Sequence, residues 1–370
     1  MDNFEPAEVF PPGEFLKDAL ENLGWTQTEF AEVIGRPTRV VNEIIAGKRS
    51  ITPETARELA AGLGTSAQYW LNLESAYQLS QVPPVEERIE REAALRRRFP
   101  IRQMIKRGWI EASSDPVTLE RATLDFFNLR SANDPIQFQH AARRSSQDIT
   151  DLQWAWIFRV KQLAEYMSVP MYSEAKLRSG LIELERLMMA PEEIRHIPRI
   201  LSECGVRFVI VEPIPGSEIQ GVCFWLDGRA PVIGLTLKRD YIDRFWFTLR
   251  HEIEHVLNGD GKDGIVVDDF EEGSSLDLPA FEKAANEAAA EFCVPQASLS
   301  NFIARHHPAY SVHNFIGFAR LMNRHPGIIA GQLQRRINDH RLFKKHQPRV
   351  REIVVSTALT DGYGKVLTDM

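Results

Sequence analysis

No stretch of this 370-residue chain stays apolar for the roughly 18 residues that a membrane-spanning helix needs, so no membrane partner is expected. Cysteine is scarce. Cys204, Cys223 and Cys293 are odd in number, far apart and without a CxxC pair, which argues against a disulfide framework and for a reduced compartment. The first residues, Met1-Asp2-Asn3-Phe4-Glu5, are acidic and lack the basic start of a secretory signal, so a cytoplasmic location is expected. There is no internal repeat and no long low-complexity segment. An excess of positive charge is also missing: the net charge is −7. That average conceals segregation, because residues 86–107 carry eight Lys/Arg against four Asp/Glu, residues 335–351 are dominated by Lys and Arg, and residues 260–277 are acidic.

What is present begins with punctuation. Residues 12–78 read as five short helices. Phe15, Ala19 and Leu23 share one face of the first. Thr26 and Glu29 form a capping box for the second, which Gly35 ends. The third helix follows Pro37 and turns Val41, Ile44 and Ile45 inward; Gly47 stops it. Thr52-Pro53 opens the fourth, and a capping box of Thr65 and Gln68 is expected to open the fifth. A linker at Pro83-Pro84 leads to a basic helix and further helical segments. In residues 151–167, Trp154, Ile157, Val160, Leu163 and Met167 recur at helical spacing, a stripe that reads as core. From Val206 the pattern becomes strand-like. A strand at 206–211 is followed by a hairpin, 222–226 and 232–237, around Asp227-Gly228. Helices are expected over 240–258 and 280–292, helical structure to about 340, and a short strand at 351–357.

The second and third helices form a helix-turn-helix. Such a unit places the N-terminal polar residues of its second helix in the major groove, here Thr38, Arg39, Asn42 and, less centrally, Glu43. Arg pairs with guanine and Asn with adenine in bidentate fashion. Gln27, Thr28, Lys48 and Arg49 are placed for phosphates. Against DNA stands the balance over residues 12–80, six basic side chains to nine acidic ones, which leaves a dimerisation or toxin-binding module as the rival. The segments Pro12-Gly13-Glu14-Phe15-Leu16, Gln27-Thr28-Glu29-Phe30-Ala31, Val41-Asn42-Glu43-Ile44, Gly47-Lys48-Arg49, Ile51-Thr52-Pro53-Glu54-Thr55-Ala56 and Tyr69-Trp70-Leu71-Asn72-Leu73 resemble the Xre-type helix-turn-helix family, in particular its HigA-type antitoxin branch. The resemblance covers residues 10–80 and implies a homodimer on palindromic double-stranded operators, often the protein's own promoter.

The second constellation is His251-Glu252-Ile253-Glu254-His255. Two histidines four apart share a helix face and suit one Zn²⁺, and Glu252 lies about 100° round, close enough to act as general base. The third ligand comes from elsewhere, and Glu282 is the best candidate, 27 residues after His255 on a helix rich in small residues. Residues 245–255, the Glu282-x-x-Ala285-Asn286 segment ending at Pro295, and residues 325–334 resemble the ImmA/IrrE family of metallo-endopeptidases. That family is gluzincin-like and cuts repressor proteins in regulatory circuits. The resemblance implies His251, His255 and Glu282 as metal ligands and Glu252 as catalytic base. Glu287 and Glu291 read as solvated, Arg250 as an ion-pair partner, and His306, His307 and His313 as surface or structural residues, one of them open as an oxyanion donor. A peptide substrate is expected to add as a strand to the hairpin at 222–237. The acidic stretch 260–277 receives no role.

The expected architecture is multidomain: an all-α helix-turn-helix domain (1–80), a helical linker or sensor region (81–195), an α+β zincin-like metallopeptidase domain with a small antiparallel-type sheet (196–345), and a C-terminal extension (346–370). The expected function is a DNA-binding regulator whose zinc endopeptidase cleaves a partner repressor or antitoxin. The alternative is a HigA-like antitoxin or autorepressor whose C-terminal domain binds a partner, such as a cognate toxin, without proteolysis.

Overall fold

The computed structural model describes residues 9–83, 87–138, 149–262, 264–268 and 278–365, and the chain divides into two compact units, 1–89 and 90–370. Most of the acidic stretch 260–277 and the second proline of the Pro83-Pro84 linker lie outside the described residues.

The first unit holds α1 (Pro12–Leu23), α2 (Gln27–Val33), α3 (Thr38–Ile45), α4 (Pro53–Leu63) and α5 (Ala67–Gln81). Its core gathers Leu16, Leu20, Phe30, Val41, Ile44, Leu59 and Trp70. The Thr26–Glu29 capping box forms in both directions, and Thr52 caps α4. At α5 the cap differs from expectation. Ser66, one residue later, accepts from the Tyr69 backbone N–H, while the Thr65 hydroxyl accepts from the Trp70 indole at 2.8 Å. A buried indole N–H needs an acceptor, and Thr65 is spent on it.

In the second unit, α6 (Glu87–Arg98), α7 (Ile101–Lys106), α8 (Pro116–Phe127), α9 (Asp151–Tyr166), α10 (Glu174–Leu187) and α11 (Ile197–Glu203) precede β1 (Arg207–Val211). Then come β2 (Gly221–Leu226), β3 (Ala230–Leu235), α12 (Ile242–Asn258), β4 (Val266–Asp268), α13 (Ala280–Cys293), α14 (Gln296–His306), α15 (Val312–Leu321), α16 (Pro326–Ile337), α17 (Arg351–Val355) and β5 (Leu359–Asp361). The sheet order is β4-β2-β3-β1-β5. The hairpin β2–β3 and the β2–β4 pair are antiparallel, whereas β1 joins β3 and β5 in parallel, so the sheet is mixed.

Both faces of this sheet are covered, which is why its strands read as near-continuous apolar runs. Alternation sends Val209, Val222, Phe224 and Val232 to one side, against Trp156, Val160 and Leu163 of α9. Phe208, Ile210, Cys223, Trp225 and Ile233 point to the other, against Trp246, Leu249 and Ile253 of α12. The stripe on α9 is core, as its spacing suggests. Its partner is the sheet, so the expected divide near residue 195 runs through one compact unit.

The C-terminal segment also differs from expectation. Residues 351–355 are helical, the strand follows at 359–361, and Val350 and Val354 are fully buried in the core beneath α12. Asp361 accepts hydrogen bonds from Arg159 of α9 and from the Trp109 indole, all three well shielded from solvent. The segment is thus tied into the fold. A further correction concerns the hairpin. β3 lies between β2 and β1, and β4 covers β2 over Gly221–Cys223, so the free edge expected for a substrate strand is missing there; among the described residues only Phe224–Leu226 of β2 have no strand on that side. Among the described residues the terminal strand beside β2 is β4.

Candidate metal centre and nucleic-acid interface

The metal motif sits on α12. Ile242, Phe245, Trp246, Leu249, Ile253 and Val256 bury the helix with i, i+3/i+4 spacing, and the same burial carries His251, Glu252 and His255 inside, each with no exposed surface. α13 lies against α12 through Ala285 and Ala289, small residues that permit close approach. Glu282, in the first turn of α13, thereby meets both histidines.

The three ligand atoms form a compact triangle. His251 Nε2 and His255 Nε2 are 2.9 Å apart, and Glu282 Oε2 is 3.2 Å from the first and 3.7 Å from the second. A tetrahedral ion with bonds of about 2.0–2.1 Å needs ligand atoms roughly 3.3 Å apart, so the residues present fit zinc. Charge agrees with geometry. Burial opposes charge on His255, yet the Asp260 and Glu282 carboxylates outweigh it and hold the imidazole up at about 10. Burial raises Glu282, and the two histidines override it, holding the carboxyl down at about 2. The group concentrates acceptors around one point that favours a cation.

Asp260 supplies a role for the start of the acidic stretch. Gly259 adopts φ 72°, a left-handed conformation that L side chains resist, and this ends α12. The chain turns back, so that the Asp260 N–H donates to the His255 carbonyl at 2.9 Å and the Asp260 carboxylate meets His255 Nδ1 at 3.0 Å. The Trp225 indole fixes the same turn by donating to the Asp260 carbonyl at 2.9 Å. A carboxylate at Nδ1 sets the His255 ring so that Nε2 faces His251 and Glu282, where it would ligate a metal as the neutral imidazole.

Glu252 is different. Neither of its carboxylate oxygens has a hydrogen-bond partner among the described residues. Burial pushes its carboxyl well above the ordinary range; His255 pulls it down, while Asp268 and Glu282 push it further up. Space for it is made at the start of β2, where a Cβ on Gly221 would stand 2.2 Å from Glu252 Oε1. A glycine inside a strand signals such a close approach, and the sequence alone did not attach it to Glu252.

Other sequence candidates are not gathered at this centre. Arg250 pairs with Glu254 at 2.7 Å. Glu287 is exposed, and Glu291 accepts from the Gln296 backbone N–H at 2.9 Å. His306 and His313 line a separate groove of about 400 Å³ between α14 and α15, and His307 packs edge-on against Tyr310. The three cysteines are free and buried.

In the first unit, Arg39 and Asn42 of α3 are exposed, as are Thr28, Lys48 and Arg49, while Gln27 and Thr38 are half-buried. The outward face is therefore polar and available. Glu43 departs from expectation. It accepts from Arg39 at 2.7 Å and from Arg49 at 3.4 Å, so it organises the two arginines and is not itself presented outward.

Residues 16–70 match the helix-turn-helix family, and residues 205–338 match the IrrE N-terminal-like domain. The HTH-type transcriptional regulator YddM of Escherichia coli is 33% identical over 70 residues, covering 19% of this chain and 74% of that protein. Virulence-associated protein A of Dichelobacter nodosus is 41% identical over 20% of this chain and 74% of its own length. Antitoxin HigA-1 of Vibrio cholerae is 38% identical over 18% of this chain and 64% of its own. A HigA-family addiction-module antidote from Coxiella burnetii has a solved structure with 33% identity, spanning 21% of this chain and 99% of that one, at a TM-score of 0.19. The chain belongs to the Xre-type helix-turn-helix family through its N-terminal unit, and its C-terminal unit carries an IrrE N-terminal-like domain.

Proposed function

We propose that this protein is a DNA-bound regulator whose C-terminal unit is a zinc-dependent endopeptidase acting on a protein partner in the same circuit, a repressor or an antitoxin. The observation that carries this reading is Glu252, buried and without a hydrogen-bond partner among the described residues, beside the triangle of His251, His255 and Glu282. Three protein ligands leave one position open, the arrangement of catalytic zinc sites. Zinc held there supplies Lewis acidity and a lowered water pKa. The chain's own part is threefold. His251, His255 and Glu282 bind the ion. Asp260 orients His255. Glu252, in a pocket closed by Gly221, accepts a proton from the attacking water and passes it to the leaving amine. β4 is the strand we assign to pairing with an extended peptide, in place of the hairpin.

For the N-terminal unit we propose binding to double-stranded DNA as a homodimer, on an operator that includes the protein's own promoter. Arg39 and Asn42 read bases, and Gln27, Thr28, Thr38, Lys48 and Arg49 hold the backbone. A HigA antitoxin of Pseudomonas aeruginosa is known in complex with its higBA promoter. The second reading is an autorepressor that holds a toxin without turnover. It is favoured by the HigA-type relatives of the first unit.

One experiment separates the two. Cells producing wild type or Glu252→Gln are compared by mass spectrometry of newly formed protein N-termini, and both proteins are assayed for zinc. The proposal expects about one zinc per chain in each and fragments only with wild type. His255→Ala and Glu282→Ala should lose the metal. Identical fragment sets from wild type and Glu252→Gln, with repression intact in both, would favour the antitoxin reading.

A further inference from the structure

α16 ends beside the metal helix. Its Gly331 packs so closely on α12 that a Cβ there would lie 2.2 Å from Asp243 Oδ2, which fixes the position of the last turn of α16. One turn after Gly331, the Arg335 guanidinium stacks on the Phe247 ring, 4.0 Å from its centroid. Phe247 is itself buried and stands one helical turn before His251, the two rings 6.5 Å apart and inclined by 24°. Arg335 and the candidate ligand His251 thus both pack on the Phe247 ring.

Arg335 keeps an exposed surface, although packing buries enough of its guanidinium to lower its pKa, and among the described residues it makes no hydrogen bond and no ion pair with a carboxylate. A guanidinium with one face on an aromatic ring keeps its in-plane N–H donors available, and their fork matches a carboxylate. Arg244 lies within electrostatic reach, and Arg239 lies near Arg244. Asp243 and Asp268 also lie within electrostatic reach of Arg335.

Resting on the peptidase reading, we propose that Arg335 is a specificity residue that binds an acidic side chain, Asp or Glu, on the substrate peptide near the bond to be cut. Contact through the Phe247 ring rather than directly with His251 argues against contact with the scissile carbonyl. An extended peptide advances about 3.3 Å per residue, so the guanidinium meets a side chain about two or three residues from that bond.

The test uses the full-length, zinc-loaded protein and a pool of random-sequence decapeptides. Cleavage sites are read by mass spectrometry for wild type, Arg335→Glu and Arg335→Lys. Binding of the same pool is read by mass spectrometry of peptides retained on immobilised Glu252→Gln, with and without Arg335→Glu. Wild type should enrich Asp or Glu near the cut by about tenfold, the scale of one charge-assisted contact. Arg335→Lys should keep part of the preference. Arg335→Glu should lose it or reverse it toward Lys and Arg, at unchanged zinc content. Cleavage without acidic enrichment, or enrichment that survives Arg335→Glu, overturns the proposal. If wild type cuts nothing, retention decides. Acidic peptides retained through Arg335 would uphold the binding site while the peptidase reading falls, and retention indifferent to Arg335 would sink the proposal as well.

Discussion

Asp260 offers a direct measure of how far the metal centre depends on a residue that is not a ligand. The perturbation is Asp260→Ala. The turn that carries it is held by backbone bonds and by the Trp225 indole, and Gly259 sets its direction, so truncating the side chain leaves the turn in place. What is removed is the 3.0 Å contact to His255 Nδ1, a charge-assisted hydrogen bond with a partner that is only 15% exposed. Without it the imidazole loses its preferred tautomer and part of its basicity. Removal of such an orienting carboxylate weakens metal affinity by about 10–100-fold, or about 1.4–2.7 kcal/mol. Asp260→Asn retains an acceptor without the charge. A neutral hydrogen bond is roughly half as strong, so that variant should weaken zinc by about three- to tenfold. The assay is competition against a chelator of known zinc affinity, with thermal unfolding as a control for folding. If Asp260→Ala binds zinc within about twofold of wild type while His255→Ala does not bind it, Asp260 does not orient His255 and the reasoning fails.

Three further outcomes follow from the structure. Gly221→Ala places a methyl 2.2 Å from Glu252 Oε1 and 3.2 Å from Leu235 Cδ2, so the base must move by about 1 Å. Zinc should be retained while cleavage of an identified substrate falls about 100-fold, and undiminished cleavage would show that Glu252 is not the base. Asp361→Ala removes the buried carboxylate that Arg159 and the Trp109 indole share and should destabilise the C-terminal unit by about 3–5 kcal/mol in urea unfolding; unchanged stability would mean that the segment is dispensable to the fold. On DNA, Arg39→Ala or Asn42→Ala should cost about 1–3 kcal/mol at the specific operator, whereas Lys48→Ala should weaken all sequences alike and reduce the salt slope by about one. Titrations against the protein's own upstream region at two salt concentrations distinguish these, and wild type that prefers no sequence would reduce the first unit to an interaction module.

Local signals in the chain determine local structure, and this is where reading the sequence reaches furthest. The Thr26–Glu29 capping box, the cap at Thr52, the helix over the His251–His255 motif and the hairpin around Asp227-Gly228 depend on residues within a few positions of one another, so spacing alone specifies them. The pairing of Glu282 with the two histidines spans a longer gap and became legible through residue type and family pattern. Contacts that cross the chain are another matter. The cap at Ser66 rather than Thr65 depends on where the Trp70 indole ends up. Whether a hairpin has a free edge depends on which strands flank it, and β1 covers the β3 edge while β4 covers β2 over Gly221–Cys223. Residues 90–195 belong with the sheet because α9 covers one of its faces, and the C-terminal strand belongs there because Asp361 meets Arg159 from 202 residues away. Gly221 under Glu252 and Arg335 over Phe247 arise in the same way, from strand register and helix packing rather than from neighbours in sequence. Periodicity and caps encode which segments are helix or strand; only the burial of their faces against one another selects which segments meet, because that free energy is shared among residues far apart in the chain.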